Sequence, residues 1–405
     1  MIERRLYMDR IVPFVDKEQV KVITGIRRCG KSTLLKLIAN HLKTKGVSPH
    51  QILYINLESF THSNLESSKD LYEYVKQRSA SPDKQYLFID EIQELEGWEK
   101  GIRSLLVDFD IDIYLTGSNA HLLSSDLSTF LAGRYIEIPV YTLSYSEYLD
   151  FRTAYFPYEK IDLKKSFDGY LRSGGFPVLQ TTSYSLEDSY KVVYDIYSSV
   201  LLRDTVQRHR IRDLELLERI VKYAFDNIGN TFSGKKVADY FKSQQRKLDI
   251  NTVYNYLHAL ESAFILYRVP RYDIHGKEIL KTQEKFYLGD VGLLYATMGF
   301  RNQKISGILE NLVYLELKRR DYQVFVGKLD QHEIDFIAEK KGEKIYIQVA
   351  YKLEREETIE REFSRLLAIK DQFPKFVVSM DEFWEENMEG IVHFHIADFL
   401  RMDSF

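Results

Sequence analysis

The chain has 405 residues, 44% of them hydrophobic and 29% charged, with a formal net charge of −4. This balance excludes a disordered or fibrous chain, and at about 150 residues per domain the length predicts two or three domains. Apolar runs such as 111–116 and 135–140 fall far short of the roughly 20 residues a membrane-crossing helix needs, and the charged stretch Met1–Arg10 lacks the apolar core of a secretory leader. A cytoplasmic protein without a membrane partner is expected, and the lone Cys29 allows neither an internal disulfide nor a cysteine-rich zinc site.

The first predicted element is a β-branched strand, Val20-Lys21-Val22-Ile23-Thr24, which runs into Gly25-Ile26-Arg27-Arg28-Cys29-Gly30-Lys31-Ser32. A helix follows from Ser32 to Lys43, with Leu34, Leu35, Ile38, Ala39 and Leu42 at helical spacing. Strand, glycine loop and helix in this order form a phosphate cradle. The glycines let the backbone fold around an anion and the helix N-terminus aims amides at it. Lys31 is placed to reach the β- and γ-phosphates, and Ser32 to ligate magnesium. Thr33 completes the run. Cys29 lies inside the loop, where a thiol activated by the helix N-terminus and by Arg27 and Arg28 would make ATP binding redox-sensitive; the alternative is a tolerated small residue.

Ile52 to Leu57 supplies the next strand, and residues 65–82 read as a polar connection. Tyr86-Leu87-Phe88-Ile89 then ends in Asp90-Glu91, the form of a second nucleotide motif in which the first carboxylate orients magnesium and the second polarises the attacking water. A strand from Ile111 to Thr116 ends at Gly117-Ser118-Asn119, whose polar side chains are candidates to sense the γ-phosphate. A fifth strand, Tyr135 to Val140, follows Leu131-Ala132-Gly133-Arg134. Five strands alternating with helices imply a parallel sheet covered on both faces.

Taken together with Gly-Gly-Phe-Pro at 174–177, these motifs resemble the AAA-type ATPases of a prokaryotic family in which an ATPase core precedes a winged-helix segment and a nuclease-like tail. The resemblance rests on Gly25 to Thr33, Phe88 to Gln93, Leu115 to Asn119, Ala132 to Arg134 and Gly174 to Pro177. It implies ATP and Mg2+ as cofactors, Pro177 as a candidate adenine or ribose contact, and Arg134 as a candidate γ-phosphate contact within a subunit or across an interface of an oligomer. An exposed arginine paired with a carboxylate is the alternative for Arg134.

In the middle third, residues 151–300, 22 basic residues stand against 18 acidic ones, while the first 150 residues hold 18 against 21 and residues 301–405 hold 16 against 21. Any nucleic-acid surface is expected there. Thr231 to Lys242 and a second segment opening at Asp249-Ile250-Asn251 read as helices, and Phe264 to Val269 and Lys285 to Leu288 as two strands around a polar turn. That order describes a winged helix. The second helix offers Asn251, Thr252, Asn255 and His258 but no cation for base reading, so Lys235, Lys236, Lys242, Arg246 and Lys247 would contact DNA phosphates without sequence preference. A lid or protein-docking role for the same module stays open. The tyrosines at 184, 190, 194 and 197 are read as packing rather than as a base-stacking surface.

In the last third, a helix from Ile308 to Arg319 carries Glu310. The strand Gln323 to Val326 follows, then Glu333-Ile334-Asp335-Phe336-Ile337 and Lys344 to Ala350 as adjacent strands. This resembles the restriction-endonuclease-like core. The resemblance matches Glu310 and Asp335 to its first two carboxylates, but Gln348 stands where a metal carboxylate belongs and Ala350 where the lysine belongs. A degenerate, inactive nuclease site is implied, with Lys352 a two-residue alternation away from Ala350.

The expected fold class is α/β: a P-loop NTPase parallel sheet covered by helices at 1–145, a helical lid at 146–205, a winged-helix-like domain at 206–300 and a restriction-endonuclease-like α/β domain at 301–405. The expected activity is Mg-dependent ATP hydrolysis coupled to remodelling of DNA or a protein–DNA complex. The rivals are a regulatory switch that docks a protein partner and an ATP-gated nuclease using Asp335.

Overall fold

The β-branched run at Val20–Thr24 forms a strand (β1) in which every residue is buried, as expected of a strand covered on both faces. A computed structural model describes residues 1–79, 83–120, 133–243, 249–299, 305–353, 356–382 and 387–405. The chain divides into two units, residues 1–140 with 262–264, and residues 141–261 with 265–405.

In the first unit β1 joins β2 (Ile52–Asn56), β3 (Gln85–Asp90), β4 (Ile111–Gly117) and β5 (Tyr135–Pro139) in a parallel sheet of order β2-β3-β4-β1-β5. All five strands end at the same edge, because Thr24 stands beside Gly117 and Pro139, and Asn56 beside Asp90. In open α/β sheets this carboxyl edge is where ligands bind. One face is sealed by Val20, Val22, Ile55, Leu87, Ile89, Ile113 and Leu115 against Leu71 and Val75 and against Trp98, Ile102 and Leu105. The helix Lys31–Thr44 packs on β3 and β4 through its buried Leu34, Leu35 and Ile38.

Residues 65–82 are a point of correction. They contain a helix, Ser68–Arg78, capped reciprocally by Ser67 and Asp70. Leu71 and Val75, both fully buried, lie four residues apart on its inner face. The segment reads as polar because its outer face is charged, and the Ser-x-x-Asp cap is its real start signal.

The second unit begins with helices, among them Tyr145–Tyr155, Leu163–Ser173, Leu186–Ser199 and Leu214–Asp226. It continues through Gly234–Ser243 and Ile250–Ser262 into a mixed sheet of order β12-β13-β11-β10-β9-β8-β6-β7. Its strands are β6 (Leu266–Asp273), β7 (Glu278–Leu288), β8 (Gln323–Leu329), β9 (His332–Lys340), β10 (Glu343–Val349), β11 (Lys375–Ser379), β12 (Asn387–Met388) and β13 (Ile391–His395).

The helix pair and the hairpin expected of a winged helix are both present, but the hairpin is longer than the sequence reading and is built into this sheet, since β6 runs parallel to β8 from Arg271 to Asp273. The expected boundary at 300/301 therefore falls within one run of hydrogen-bonded strands. Pro270 explains why the strand was cut short. It cannot donate a ladder hydrogen bond, and the register shifts by a bulge between Val269 and Arg271 before pairing resumes. No helix among the described residues is long and apolar enough to cross a membrane.

Candidate nucleotide site

The loop from Gly25 to Gly30 joins the end of β1 to the helix at Lys31. Its geometry requires glycine at one end: Gly25 has φ 147°, and a Cβ there would stand 2.0 Å from the Val140 carbonyl oxygen. Gly30, at φ 106°, caps the helix in the left-handed region. Within the loop Ile26 and Cys29 are buried and Arg28 is exposed, while Arg27 Nη1 donates to Glu58 Oε1 at 2.9 Å.

Lys31 folds back into the cradle and donates to the carbonyls of Gly25 (2.9 Å) and Ile26 (3.2 Å), with only 3% of its surface exposed. A buried ammonium held by loop carbonyls is a group kept for an anion. Thr33 is exposed on the helix's first turn.

Asp90 ends β3 beside the loop. Its Oδ1 accepts from Ser32 Oγ at 3.1 Å and from Thr116 Oγ1 at 2.5 Å, and its Oδ2 from Tyr54 OH at 3.4 Å. Burial pushes the Asp90 carboxyl up, against the two hydroxyl donors that hold it down. Glu91, at φ 58°, accepts from Gln93 Nε2 and lies 4.0 Å from Lys31 Nζ. The Thr116 hydroxyl also accepts from the Glu91 amide at 3.0 Å. Ser118 and Asn119, fully buried just past β4, complete this edge, and Ser118 Oγ accepts from Gln93 Nε2 at 3.3 Å.

The donor set fits magnesium with a nucleoside triphosphate: hard oxygens from Ser32 and Asp90 beside an ammonium and a glycine loop. Lys31, Ser32, Asp90, Glu91, Ser118 and Asn119 thus come together. Thr116 and Gln93 lie inside the resembling runs but were given no role, and Tyr54 and Arg4, which donates to the Cys29 carbonyl at 2.9 Å, belong to no motif. Thr116 enters through strand pairing: Ile89 stands beside Leu115, which sets Thr116 level with Asp90 on the neighbouring strand.

Two expectations change. Arg134 is exposed before β5, and its carbonyl accepts from the Val20 amide at 2.8 Å, so it sits at the amino edge of the sheet. The five-residue length of β1, about 16 Å at strand rise, separates it from the loop and removes the within-subunit contact. Cys29 is fully buried and burial raises its thiol, so it lacks the activation a redox switch needs. Pro177 opens a short 3-10 turn, Pro177–Gln180, in the second unit. Leu131, Ala132, Arg246 and Lys247 lie outside the described residues.

In the second unit β9 and β10 pair antiparallel as expected, and the helix Ile305–Arg319 carries Glu310. Glu310, Asp335 and Gln348 meet along a cavity of about 560 Å3. The strand ends at Val349, so Lys352 lies beyond it and the two-residue alternation does not apply, although Lys352 lines the same cavity.

Gln348 is fully engaged: its Oε1 accepts from the Asp335 amide at 2.8 Å and its Nε2 donates to Glu362 at 2.7 Å. Burial, then the neighbouring Glu310, pushes the Asp335 carboxyl well up. These residues do not fit a divalent metal, and among the described residues no group of three His, Cys, Asp or Glu converges as a metal site. Lys235 and Lys236 are exposed on their helix, as are Asn251, Asn255 and His258 on the next.

A family profile described as an AAA domain matches residues 17–149, and one described as a domain of unknown function matches residues 164–304. An uncharacterized protein of Haemophilus influenzae is 36% identical over 401 residues, covering 99% of this chain and 98% of its own. An uncharacterized protein of Methanocaldococcus jannaschii is 32% identical over 87% of this chain and 79% of its own.

Among solved structures, Aeropyrum pernix ORC1 in complex with DNA aligns with a TM-score of 0.32 at 12% identity, over 73% of this chain and 92% of that one. AMPPCP-bound DnaA from Aquifex aeolicus gives 0.32 at 15%, over 64% and 87%. Likeness at this level carries no functional argument.

Proposed function

Because the chain belongs to one family with its Haemophilus influenzae and Methanocaldococcus jannaschii relatives and carries an AAA domain, we propose that it is a magnesium-dependent ATPase whose turnover remodels DNA or a protein–DNA complex. The observation that carries the hydrolytic part is the convergence of Lys31, Ser32, Asp90 and Glu91 at one edge of the parallel sheet. Lys31 would leave the loop carbonyls for the phosphates. Ser32 and Asp90 would hold magnesium, which when bound with ATP supplies charge neutralisation at the phosphates. Glu91 would orient the attacking water and take its proton. Ser118 and Asn119 would register whether the terminal phosphate is present.

The nucleic-acid part rests on exposed Lys235 and Lys236 beside a second helix that bears no cation, a surface suited to phosphates rather than to bases. In this proposal residues 1–145 are the motor, 146–205 a lid that brings Pro177 to the nucleotide, 206–300 the nucleic-acid module and 301–405 an inactive nuclease-like domain. Arg134 is left a role only toward a neighbouring subunit.

A second reading, a slow switch that docks a protein partner, is favoured by one contact: the Glu91 carboxylate is held by Gln93 and faces Lys31, so it must be released before it can serve a water.

The test is ATP turnover by the wild type and Glu91→Gln with single-stranded, duplex and branched DNA. Glu91→Gln is expected to lose about 10²–10⁴-fold in kcat while still binding ATP. DNA stimulation that disappears in Glu91→Gln supports the remodelling ATPase. Turnover indifferent to every DNA rejects it in favour of the switch, and turnover unchanged in Glu91→Gln rejects the assigned base.

A further inference from the structure

Lys285, on β7, is buried with 2% of its side chain exposed. Its Nζ lies 2.8 Å from Glu333 Oε1, 3.1 Å from Glu310 Oε2 and 3.7 Å from Asp335 Oδ1. Glu310 comes from the helix Ile305–Arg319 and Asp335 from β9, so one ammonium gathers side chains from two further elements of the second unit. We propose that Lys285 is a resident cation at this carboxylate cluster, occupying the position a divalent metal would need and making the second unit indifferent to metal ions.

Three observations converge on this. The first is charge: bringing two buried carboxylates, Glu310 and Asp335, together beside the half-buried Glu333 is costly unless a cation sits among them, and the ammonium supplies it covalently. The second is the engagement of the remaining ligand atoms. Glu310 Oε2 also accepts from Tyr287 OH at 2.9 Å, and Asp335 Oδ2 accepts from the Val349 amide at 2.9 Å. Both polar atoms of Gln348 are spent on the Asp335 amide and Glu362. A metal would have to break these bonds as well as displace the lysine. The third is position. Glu310, Asp335 and Gln348 line an open cavity, so an ion has a route to the carboxylates and its exclusion rests on the lysine rather than on access.

Lysine does not act here as the base that Ala350 lacks. Burial opposes its charge, but Glu310, Asp335 and Glu333 outweigh that and hold the ammonium charged above its usual range.

The experiment uses the nucleotide-free full chain titrated with Mn2+, reading free Mn2+ by electron paramagnetic resonance and melting temperature in parallel. The proteins are the wild type, Asp335→Asn, Lys285→Met and the double variant Lys285→Met with Asp335→Asn. Wild type and Asp335→Asn are expected to give the same isotherm, since neither offers a free cluster. Lys285→Met is expected to gain one Mn2+ per chain, bound about tenfold or more tighter than by the wild type, with a melting temperature that rises with Mn2+. The double variant is expected to lose that gain.

Removing the ammonium leaves carboxylates unpaired; where Lys285→Met is isolated unfolded in EDTA, its refolding on addition of Mn2+ is the same readout. A wild-type Mn2+ site that Asp335→Asn abolishes overturns the proposal. So does a Lys285→Met protein that neither gains Mn2+ nor is rescued by it.

Discussion

Asp90 shows how one residue can be costly to the fold and central to the proposed site. Its carboxylate is 1% exposed, and burial raises it above the roughly 3.9 of an unfolded aspartate. Between those two values the folded chain keeps a proton that the unfolded chain has released. The fold therefore loses stability as pH climbs through that window and stays lower above it. Asparagine at this position can still accept from Ser32 and Thr116 through Oδ1, without the buried charge. Asp90→Asn is expected to melt higher than the wild type in EDTA at pH 8, to match it near pH 4, and to lose ATP hydrolysis. Melting curves across that range decide the matter: a variant no more stable at pH 8 than at pH 4, relative to wild type, would show that the hydroxyl donors already compensate the burial. The motif made Asp90 and Glu91 legible in the sequence. Thr116 and Gln93, which hold them, were not, because a threonine in an apolar strand and a glutamine in a turn have many other uses, and only the strand order puts Thr116 level with Asp90.

At the scale of elements, β1 reads correctly as a buried strand, yet that reading hides its polar member. Lys21 is fully buried and bonded to Asp112 of β4. Asp112 Oδ2 also accepts from the Tyr114 hydroxyl at 2.8 Å and the Asp16 amide at 2.9 Å. Burial lowers the Lys21 ammonium against the pull of Asp112. Breaking such a pair costs more than the pair contributes, because the survivor stays buried and charged. Lys21→Ala is expected to lose about 3–5 kcal/mol in urea unfolding, and Lys21→Met combined with Asp112→Asn to recover more than half of that. A single-variant loss below about 1 kcal/mol would mean that water reaches Asp112. The helix Ser68–Arg78 and the outer half of the β6–β7 hairpin were hidden for related reasons. In each, the exposed face or the proline dominates composition, and the burial that fixes the element comes from partners distant in sequence.

At the scale of the whole molecule, the alternation of strands and helices in the first 140 residues was sufficient to anticipate a parallel sheet, because each βα step is local. The second sheet was not legible as one body: its edge hairpin and its central strands are separated by two helices, and their pairing is long-range. Each unit has its own apolar cluster, around Ile89 and Leu115 in the first and around Ile337 and Phe363 in the second. Two cores predict two unfolding transitions in calorimetry, of which only the first unit's should respond to nucleotide. In Glu91→Gln, which binds without consuming its ligand, MgATP at a hundred times its Kd is expected to stabilise that unit by about 2.7 kcal/mol and raise its transition by roughly 10 °C. The other transition should stay in place, and Lys31→Ala should abolish the shift. A single transition that moves as a whole would show that the two cores unfold cooperatively. Two transitions of which neither moves would remove the nucleotide from the cradle and with it the proposed activity.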